Sequence, residues 1–253
     1  MEEKLLQMKS LVERLNQASD SYYNGKGELM TDYEWDALFD QLKRLEEETG
    51  EILPDSPTNR VSEDSIVGKK EEHEFAALSL AKTKQVSDLV KWAEDRPIWI
   101  SWKLDGLTLV VTYDGGILTK IVTRGNGHIG TNITHLAPAI SGIPATISEK
   151  GHLVVRGEAV ISYADFEQFI IESEGDYANP RNLASGSLTL KDIEEVKQRH
   201  IQWIPFTLVY TERELTSWGE RMQMLKDLGM NPVERERIDH PTTENIQLEI
   251  DKF

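Results

Sequence analysis

The chain has 253 residues, with 28 Lys and Arg against 44 Asp and Glu, so its formal net charge at pH 7 is −16. Hydrophobic residues make up 39% of the chain, which is enough for a buried core and excludes a disordered protein. The acidic surface is expected to repel a nucleic-acid backbone, and the lack of cysteine excludes disulfides, thiol catalysis and cysteine-ligated zinc. The sequence contains no apolar run of membrane length and no signal peptide, which predicts a soluble, cytoplasmic protein.

Residues 1–68 are predicted to form a small helical module. Residues 3–19 have apolar side chains at helical spacing along one face, which is typical of an amphipathic helix. A turn-rich Asn-Gly-Lys-Gly stretch follows. Thr31 or Asp32 can then cap a second helix, which is predicted to end near Thr49.

The remaining sequence, residues 69–253, is predicted to form an α+β domain on an antiparallel sheet, entered through a polar linker over residues 61–72. The clearest signal is a hairpin, in which the turn Asp114-Gly115-Gly116 separates two β-rich runs. The predicted strands are 98–100, 107–113, 117–123, 153–155 and 203–210, and the predicted helices are 162–173 and 216–228.

The first candidate for chemistry is residues 102–106 (WKLDG), between a predicted strand and the hairpin. The neutral amine of a lysine such as Lys103 can attack an activated phosphorus and form a covalent intermediate. Neighbouring cations such as Arg124, together with a bound metal, would favour that neutral form. The alternative is an exposed lysine beside a turn, and the short motif taken alone favours this alternative.

Three other segments combine polar residues in ways that are typical of sites. Residues 123–130 (TRGNGHIG) place glycines beside Arg124, so their backbone N–H groups could surround an anion. The alternative is an ordinary glycine-rich loop. Residues 156–158 (RGE) follow an apolar run and would hold a carboxylate at the mouth of a site, or form a strand-end ion pair. Residues 177–187 (YANPRNLASGS) suit a loop packed under a polar ligand, or a purely structural turn.

In this order, the four segments resemble the adenylation region of the NAD-dependent bacterial DNA ligases, and the resemblance covers nearly the whole chain. The Lys-x-Asp-Gly signature belongs to covalent nucleotidyltransferases, whose lysine attacks the α-phosphate and becomes Lys-AMP. The resemblance therefore implies an ATP-grasp-like nucleotidyltransferase domain, with Lys103 as the nucleophile and Asp105 as its motif partner. It also implies nucleotide contacts: ribose and phosphate for Arg124, ribose for Glu158, adenine for Phe206, and positions beside the nucleotide for Ser79 and Leu80.

The N-terminal module resembles the part of that family that binds the nicotinamide mononucleotide (NMN) half of NAD. Residues 32–36 (DYEWD) are similar to its Asp-x-x-Tyr-Asp signature, with an aromatic pair upstream. An aromatic face and nearby carboxylates suit a cationic nicotinamide. Trp35 also lies on the apolar stripe of its helix, so the pattern alone favours a core position and the resemblance favours a ligand contact. The residues to which the resemblance assigns NAD binding here are Tyr22, Tyr23, Asp32, Tyr33, Glu34, Trp35 and Asp36.

The sequence departs from the family pattern at three positions. Ser101, which we count among the nucleotide-binding residues, stands where the family usually has a glutamate near adenine, Trp35 replaces a tyrosine, and Asn126 replaces an aspartate. The family's later Asp-Gly-Val-Val-x-Lys strand, a further lysine motif and the DNA-binding modules do not occur within these 253 residues. We therefore expect the adenylation domain, residues 69–253, to be C-terminally incomplete and to bind nicked DNA weakly or not at all.

The leading hypothesis is the adenylation part of a DNA ligase. It would bind NAD and Mg²⁺, form Lys-AMP, release NMN and serve the sealing of DNA nicks in replication and repair, as a monomer. In the complete enzyme, AMP passes to the 5′-phosphate of a nick and the 3′-hydroxyl displaces it. One alternative is a non-catalytic NAD- or nucleotide-binding relative. Another is an RNA ligase or capping-type enzyme that uses a nucleoside triphosphate, which the N-terminal module disfavours.

Overall fold

The computed structural model describes residues 2–23, 29–58, 68–78, 81–173, 177–190 and 192–253. Two helices come first, α1 (Glu2–Tyr23) and α2 (Asp32–Thr49), and they pack against each other through one apolar cluster. Met8, Leu15 and Leu42 are fully buried in that cluster. The apolar spacing that predicts the helices therefore also forms their common core.

Thr31 sets the start of α2 through a capping box. Its hydroxyl accepts a hydrogen bond from the backbone N–H of Glu34, and the Glu34 carboxylate accepts one from the Thr31 N–H. Both predicted helices are confirmed. The first one continues to Tyr23, past its predicted end at residue 19.

The rest of the chain contains both strands and helices, and the pairings between its strands are antiparallel, which confirms a mixed fold with antiparallel sheets. None of the described helices is both long and apolar enough to cross a membrane. The strands are β1 (Lys70–Glu72), β2 (Ile98–Ser101), β3 (Leu107–Asp114), β4 (Ile117–Thr123), β5 (Ile129–Thr131), β6 (Leu153–Val160), β7 (Gln202–Thr211) and β8 (Arg235–Ile238). The helices are α3 (Val86–Ala93), α4 (Tyr163–Ser173), α5 (Pro180–Ser187), α6 (Ile193–Lys197), α7 (Trp218–Asp227) and α8 (Thr243–Ile250), with a 3-10 helix at Thr134–Ala139.

The central sheet has the strand order β4-β3-β6-β7 and includes the predicted hairpin, β3–β4. Because side chains alternate along a strand, the sheet has two distinct faces. One face places residues such as Leu109 and Val155 in the main hydrophobic core. The opposite face, called the outer face below, carries Thr108, Val110 and Glu158.

Two short ribbons accompany the central sheet, β1 paired with β5 and β2 paired with β8. Lys70 pairs with Thr131 in the first ribbon, so residues 70–72 form a strand. The prediction of a polar linker over residues 61–72 is therefore wrong for its last three residues. The part of that linker at residues 61–67 lies outside the described residues.

Two candidate site segments have a different secondary structure from the predicted one. Strand β6 continues to Val160, so residues 156–158 lie inside a strand and do not follow it. Residues 180–187 form helix α5, where a loop was predicted. The side chain of Asn179 accepts a hydrogen bond from the N–H of Asn182, and proline suits the first helical position that follows the cap.

Candidate active site

Lys103 and Asp105 lie in the segment that joins β2 to β3, and both side chains are exposed. The Asp105 carboxylate accepts a hydrogen bond from Nη1 of Arg181, with 2.5 Å between the two atoms. This ion pair fixes the direction of the Asp105 side chain. The segment therefore presents an accessible amine beside an oriented carboxylate.

Glu158 is the buried carboxylate of the site, with a relative exposure of 8%. Its Oε1 accepts a hydrogen bond from the Gly106 N–H at 3.2 Å, and its Oε2 accepts one from the Thr108 hydroxyl at 2.8 Å. Burial raises the pKa of the Glu158 carboxyl. Four contacts oppose that rise; from the strongest to the weakest they are the Thr108 hydrogen bond, the charge of Arg181, the Gly106 N–H and the charge of Lys103. Lys103 and Arg181 thus lie near enough to act on Glu158, and the three form one cluster.

Gly106 allows this cluster to form because it has no side chain. A side chain at this position would overlap the carbonyl oxygen of Ala159 on β6. Without one, the backbone of residue 106 comes close enough to β6 to donate to Glu158. The last residue of the Lys-x-Asp-Gly motif therefore brings the motif against the strand that supplies the carboxylate.

Arg181 is a site residue to which the sequence alone assigns no role. It follows Pro180 at the start of α5, a helix that buries Leu183 and Ala184 in the main core and so has a fixed position. From there its guanidinium reaches Asp105, 76 residues away in sequence. An Asn-Pro-Arg sequence is typical of a capped helix start, and this signal could have placed the arginine on a helix.

Residues 73–78, called the strap below, cross the outer face of the central sheet. Phe75 and Ala77 belong to an apolar cluster that includes Val110 and Val154 of that face. The strap therefore covers the part of the outer face that lies away from Lys103 and Glu158. It leads directly to Ser79 and Leu80.

Two arginines hold the strap by its backbone carbonyls. Nε of Arg124 donates to the carbonyl of Ala77 at 2.9 Å. Nη2 of Arg156 donates to the carbonyls of Ala76 at 2.7 Å and Phe75 at 3.1 Å. Burial, followed by the charge of Arg124, lowers the pKa of Arg156, so the two guanidinium groups are close to each other. The predicted contact of Arg124 with ribose and phosphate stays a prediction.

The glycine-rich loop after β4 makes hydrogen bonds within itself. The side-chain oxygen of Asn126 accepts from the N–H groups of His128 at 3.0 Å and Ile129 at 2.8 Å. The Gly127 N–H donates to the carbonyl of Arg124 at 3.0 Å. Because these N–H groups are engaged, the geometry favours an ordered structural loop over a cradle for an anion.

Of the other predicted adenosine contacts, the structure describes Ser101 and Phe206. Ser101 ends β2, where it pairs with Arg235 of β8. Phe206 is half-buried at an irregularity in the register between β6 and β7. Ser79 and Leu80 lie outside the described residues.

Of the residues predicted to contact nicotinamide, the structure describes two side chains, those of Trp35 and Glu34. The Trp35 Nε1 donates to the Ser19 hydroxyl at 3.2 Å, and its ring stacks on Phe39 with 4.9 Å between centroids. Trp35 is thus partly buried between α1 and α2, as its apolar stripe indicates, and its contact with a ligand stays a prediction. Glu34 is engaged in the capping box. The side chains that lie outside the described part are those of Tyr22, Tyr23, Asp32, Tyr33 and Asp36.

Comparison with known proteins gives one consistent family. Residues 69–252 match the sequence profile of the NAD-dependent DNA ligase adenylation domain, and residues 1–62 match that of the DNA ligase-like, N-terminal NAD+-binding domain. Proteins named DNA ligase from Lachnoclostridium phytofermentans and Ruminiclostridium cellulolyticum are each 39% identical over 259 residues, which cover 100% of this chain and 39% of the relative. A DNA ligase of Leptospira biflexa is 39% identical over 199 residues, 76% of this chain and 30% of that protein. The chain therefore spans 39% of the length of the first two relatives.

Proposed function

Because this chain belongs to the NAD-dependent DNA ligase family, we propose that it performs the first step of such an enzyme, the transfer of AMP from NAD to a lysine. The observation that carries the proposal is the cluster before β3. The exposed amine of Lys103 lies near the buried carboxylate of Glu158 and the ion pair of Asp105 with Arg181. A nucleophile, a carboxylate and a cation are the groups that nucleotidyl transfer to lysine requires.

In this step, Nζ of Lys103 attacks the phosphorus of the AMP half of NAD as the neutral amine, and the nitrogen then releases one proton to water as the N–P bond forms. The P–O bond to the phosphate of NMN breaks in the same displacement, and its electron pair leaves with NMN. The product is a phosphoramidate, Lys-AMP. Arg181 would stabilise the negative charge that develops on the phosphate oxygens, and Asp105 would orient Arg181 through their ion pair.

The adenosine part of NAD would bind along the outer face of the central sheet. Glu158 would accept hydrogen bonds from the ribose hydroxyls, since a carboxylate can accept more than the two hydrogen bonds that Gly106 and Thr108 donate. Arg124 would contact ribose and phosphate, and Phe206 would stack on adenine. The full set of proposed adenosine contacts is Ser79, Leu80, Ser101, Arg124, Glu158 and Phe206.

We further propose that residues 1–68 hold the NMN half and that residues 69–253 are an ATP-grasp-like adenylation domain. The profile matches, one ending at residue 62 and the next beginning at residue 69, support this division. Aromatic rings and carboxylates of the first part would face the cationic nicotinamide. The proposed contacts are Tyr22, Tyr23, Asp32, Tyr33, Glu34, Trp35 and Asp36.

Mg²⁺ and nicked DNA are proposed partners of the complete reaction. In the ranges that the structure describes, no group of three or more acidic or histidine side chains could hold a metal ion. Mg²⁺ would therefore enter with the phosphates of NAD, as it commonly does, and neutralise their charge. We propose that AMP then passes to the 5′-phosphate of a nick, that DNA is held mainly by other regions of such enzymes, and that the protein is monomeric and cytoplasmic.

The deciding experiment is mass spectrometry of the intact protein after incubation with NAD and Mg²⁺. We expect a mass increase of one AMP, mapped by peptide analysis to Lys103, together with release of NMN. The same incubation with ATP in place of NAD should give no adduct, because the N-terminal part is proposed to hold NMN as the leaving group. An adduct with ATP alone would contradict the choice of NAD. Binding of NAD without any adduct would favour the non-catalytic alternative.

A further inference from the structure

Thr108 lies at the centre of the candidate site, although no sequence motif assigns it a function. It is the second residue of β3, and it faces Glu158 of β6 in the register of the sheet. Its hydroxyl donates to Oε2 of Glu158 at 2.8 Å, and its backbone carbonyl accepts the N–H of Arg124 at 2.9 Å. One residue thus contacts both a carboxylate and an arginine that are proposed to bind the nucleotide.

The hydroxyl of Thr108 fixes the rotation of the Glu158 carboxylate. Among the described residues, two donors reach this carboxylate, the Gly106 N–H at Oε1 and the Thr108 hydroxyl at Oε2. A carboxylate offers about four lone-pair sites, so each oxygen keeps an accepting site with a defined direction. The last torsion of a glutamate side chain has a broad energy profile, so the carboxylate would turn readily if the hydroxyl were removed.

The hydroxyl also favours the ionised form of Glu158. The relative exposure of Glu158 is 8%, and burial raises the pKa of its carboxyl. The hydrogen bond from Thr108 is the strongest of the contacts that oppose this rise. Ile204, which faces Glu158 from β7, carries no charge. Within the described part of the chain, the other polar and charged groups that act on the carboxyl are the Gly106 N–H, Lys103, and Arg181, which pairs with Asp105.

We propose that Thr108 is a positioning residue for AMP transfer, whose hydroxyl holds the Glu158 carboxylate ionised and turned so that it accepts the hydroxyls of a ribose. Thr108 acts through Glu158 and touches no substrate atom. This inference rests on the proposed function, because it takes the ligand of Glu158 to be the adenosine half of NAD.

The test compares Thr108→Val, which removes the hydroxyl at nearly constant volume, with Thr108→Ser, which keeps it. The rate of Lys-AMP formation is measured in single turnovers, at several NAD concentrations and from acid to alkaline pH. At low NAD concentration, Thr108→Val should lower the rate about 10- to 100-fold, the range for a lost hydrogen bond to a charged group. The acid limb of its pH–rate profile should move to higher pH, because Glu158 without this hydrogen bond keeps its proton to higher pH. Thr108→Ser should have the wild-type rate and the wild-type acid limb.

Thr112→Val is the matched control, since Thr112 lies on the same strand and face but pairs with Val154. It should leave the rate and the acid limb unchanged. In a Glu158→Gln background, Thr108→Val should add no more than about a twofold further loss, because its target is already altered. Thr108→Ala, which removes the hydroxyl with less bulk, replaces the valine variant if thermal unfolding shows that the latter does not fold.

The outcomes separate this inference from the proposed function. If the wild-type protein forms no Lys-AMP with NAD, the proposed function fails and the inference falls with it. If the wild type forms Lys-AMP and Thr108→Val does so at the same rate with the same pH profile, only the inference is overturned. A loss that Thr108→Ser does not restore, or that stays undiminished in the Glu158→Gln background, also overturns it, because the hydroxyl then does not act through Glu158.

Discussion

The two ends of the outer face of the central sheet use charged side chains in different ways. At the end where β3 begins, Lys103 and Asp105 are exposed, and neighbouring charges act on Glu158. At the other end the strap covers the sheet, and the ring of Phe75 stacks on Tyr210 with 5.3 Å between centroids. The charged side chains at this covered end bond to backbone carbonyls or to each other.

Because of this difference, the side chains available for a reaction and those that stabilise the fold lie at opposite ends of the outer face. An exposed charge contributes little to folding and remains available to a ligand. A partly buried charge that bonds to carbonyl groups contributes to folding and is already occupied. Substitutions of the exposed charged residues before β3 should therefore change AMP transfer with little change in stability, and substitutions of the arginine that holds the strap should do the reverse.

The largest effect is expected for Lys103→Ala. Lys-AMP should fall below detection because the nucleophile is removed, whereas the free energy of unfolding should change by no more than about 0.5 kcal/mol, as at other exposed sites. Mass spectrometry after incubation with NAD, together with urea unfolding, measures both quantities. Lys91→Ala is the matched control, because this exposed lysine on α3 pairs only loosely with Asp88, at 3.5 Å, and should leave labelling intact. AMP on another lysine of the Lys103→Ala protein would contradict the assignment.

Arg156→Met should have the opposite effect, at the covered end. Methionine keeps much of the packing but removes the hydrogen bonds to the carbonyls of Phe75 and Ala76, so the free energy of unfolding should fall by about 1 to 3 kcal/mol. Urea unfolding measures this loss, and Lys-AMP should still form. Unchanged stability with labelling abolished would instead place the covered end inside the site.

The smallest effect is expected at His152, which joins the strap to the sheet. Its Nδ1 lies 2.6 Å from a carboxylate oxygen of Asp114, and its Nε2 lies 2.9 Å from one of Glu74. The hydrogen bond with Asp114, followed by that with Glu74, holds the pKa of His152 above its ordinary value against the effect of burial. The same hydrogen bond with His152 lowers the pKa of Asp114.

The pH dependence of the folding stability follows from the raised pKa of His152 and the lowered pKa of Asp114. The contribution of charged His152 is fully present below the ordinary histidine pKa of about 6.5 and is lost as the pH rises through the raised pKa of the folded protein. The contribution of Asp114 is present above the ordinary aspartate pKa of about 3.9 and is lost as the pH falls through its lowered value. His152→Gln should therefore reduce stability by at most about 1 kcal/mol near pH 6 and less at alkaline pH. Urea unfolding at both pH values tests this, and an equal loss at each would contradict the charge pairing.

Local signals predicted the elements of this fold better than the contacts between them. The helix cap expected at Thr31 or Asp32 and the hairpin turn at Gly115 and Gly116 depend on residues that are neighbours in sequence. The structure places the cap at Thr31 and confirms the turn. The ion pair between Asp105 and Arg181 joins residues 76 positions apart, and no local pattern determines it. The sequence therefore identified the segments of the candidate site but not the partner of its exposed carboxylate.

The error at residues 156–158 has a similar origin. Charged residues after an apolar run indicate the end of a strand when the only alternatives are core and solvent. Here Arg156 and Glu158 remain in β6 because each finds partners on the outer face, the strap for Arg156 and the start of β3 for Glu158. Charged side chains that find partners on the outer face therefore do not mark the end of this strand.

Gly106 affects how the Lys-x-Asp-Gly motif should be interpreted in other genomes. A side chain at this position would overlap the carbonyl oxygen of Ala159, so the glycine is needed for the close approach of this segment to β6 even where no reaction takes place. Lys103 is exposed, and its replacement creates no such overlap. A duplicated gene released from selection for activity should therefore lose the lysine early and keep the glycine late. In a newly sequenced relative, a retained lysine is thus the stronger sign of a working enzyme, and a retained glycine indicates only the fold.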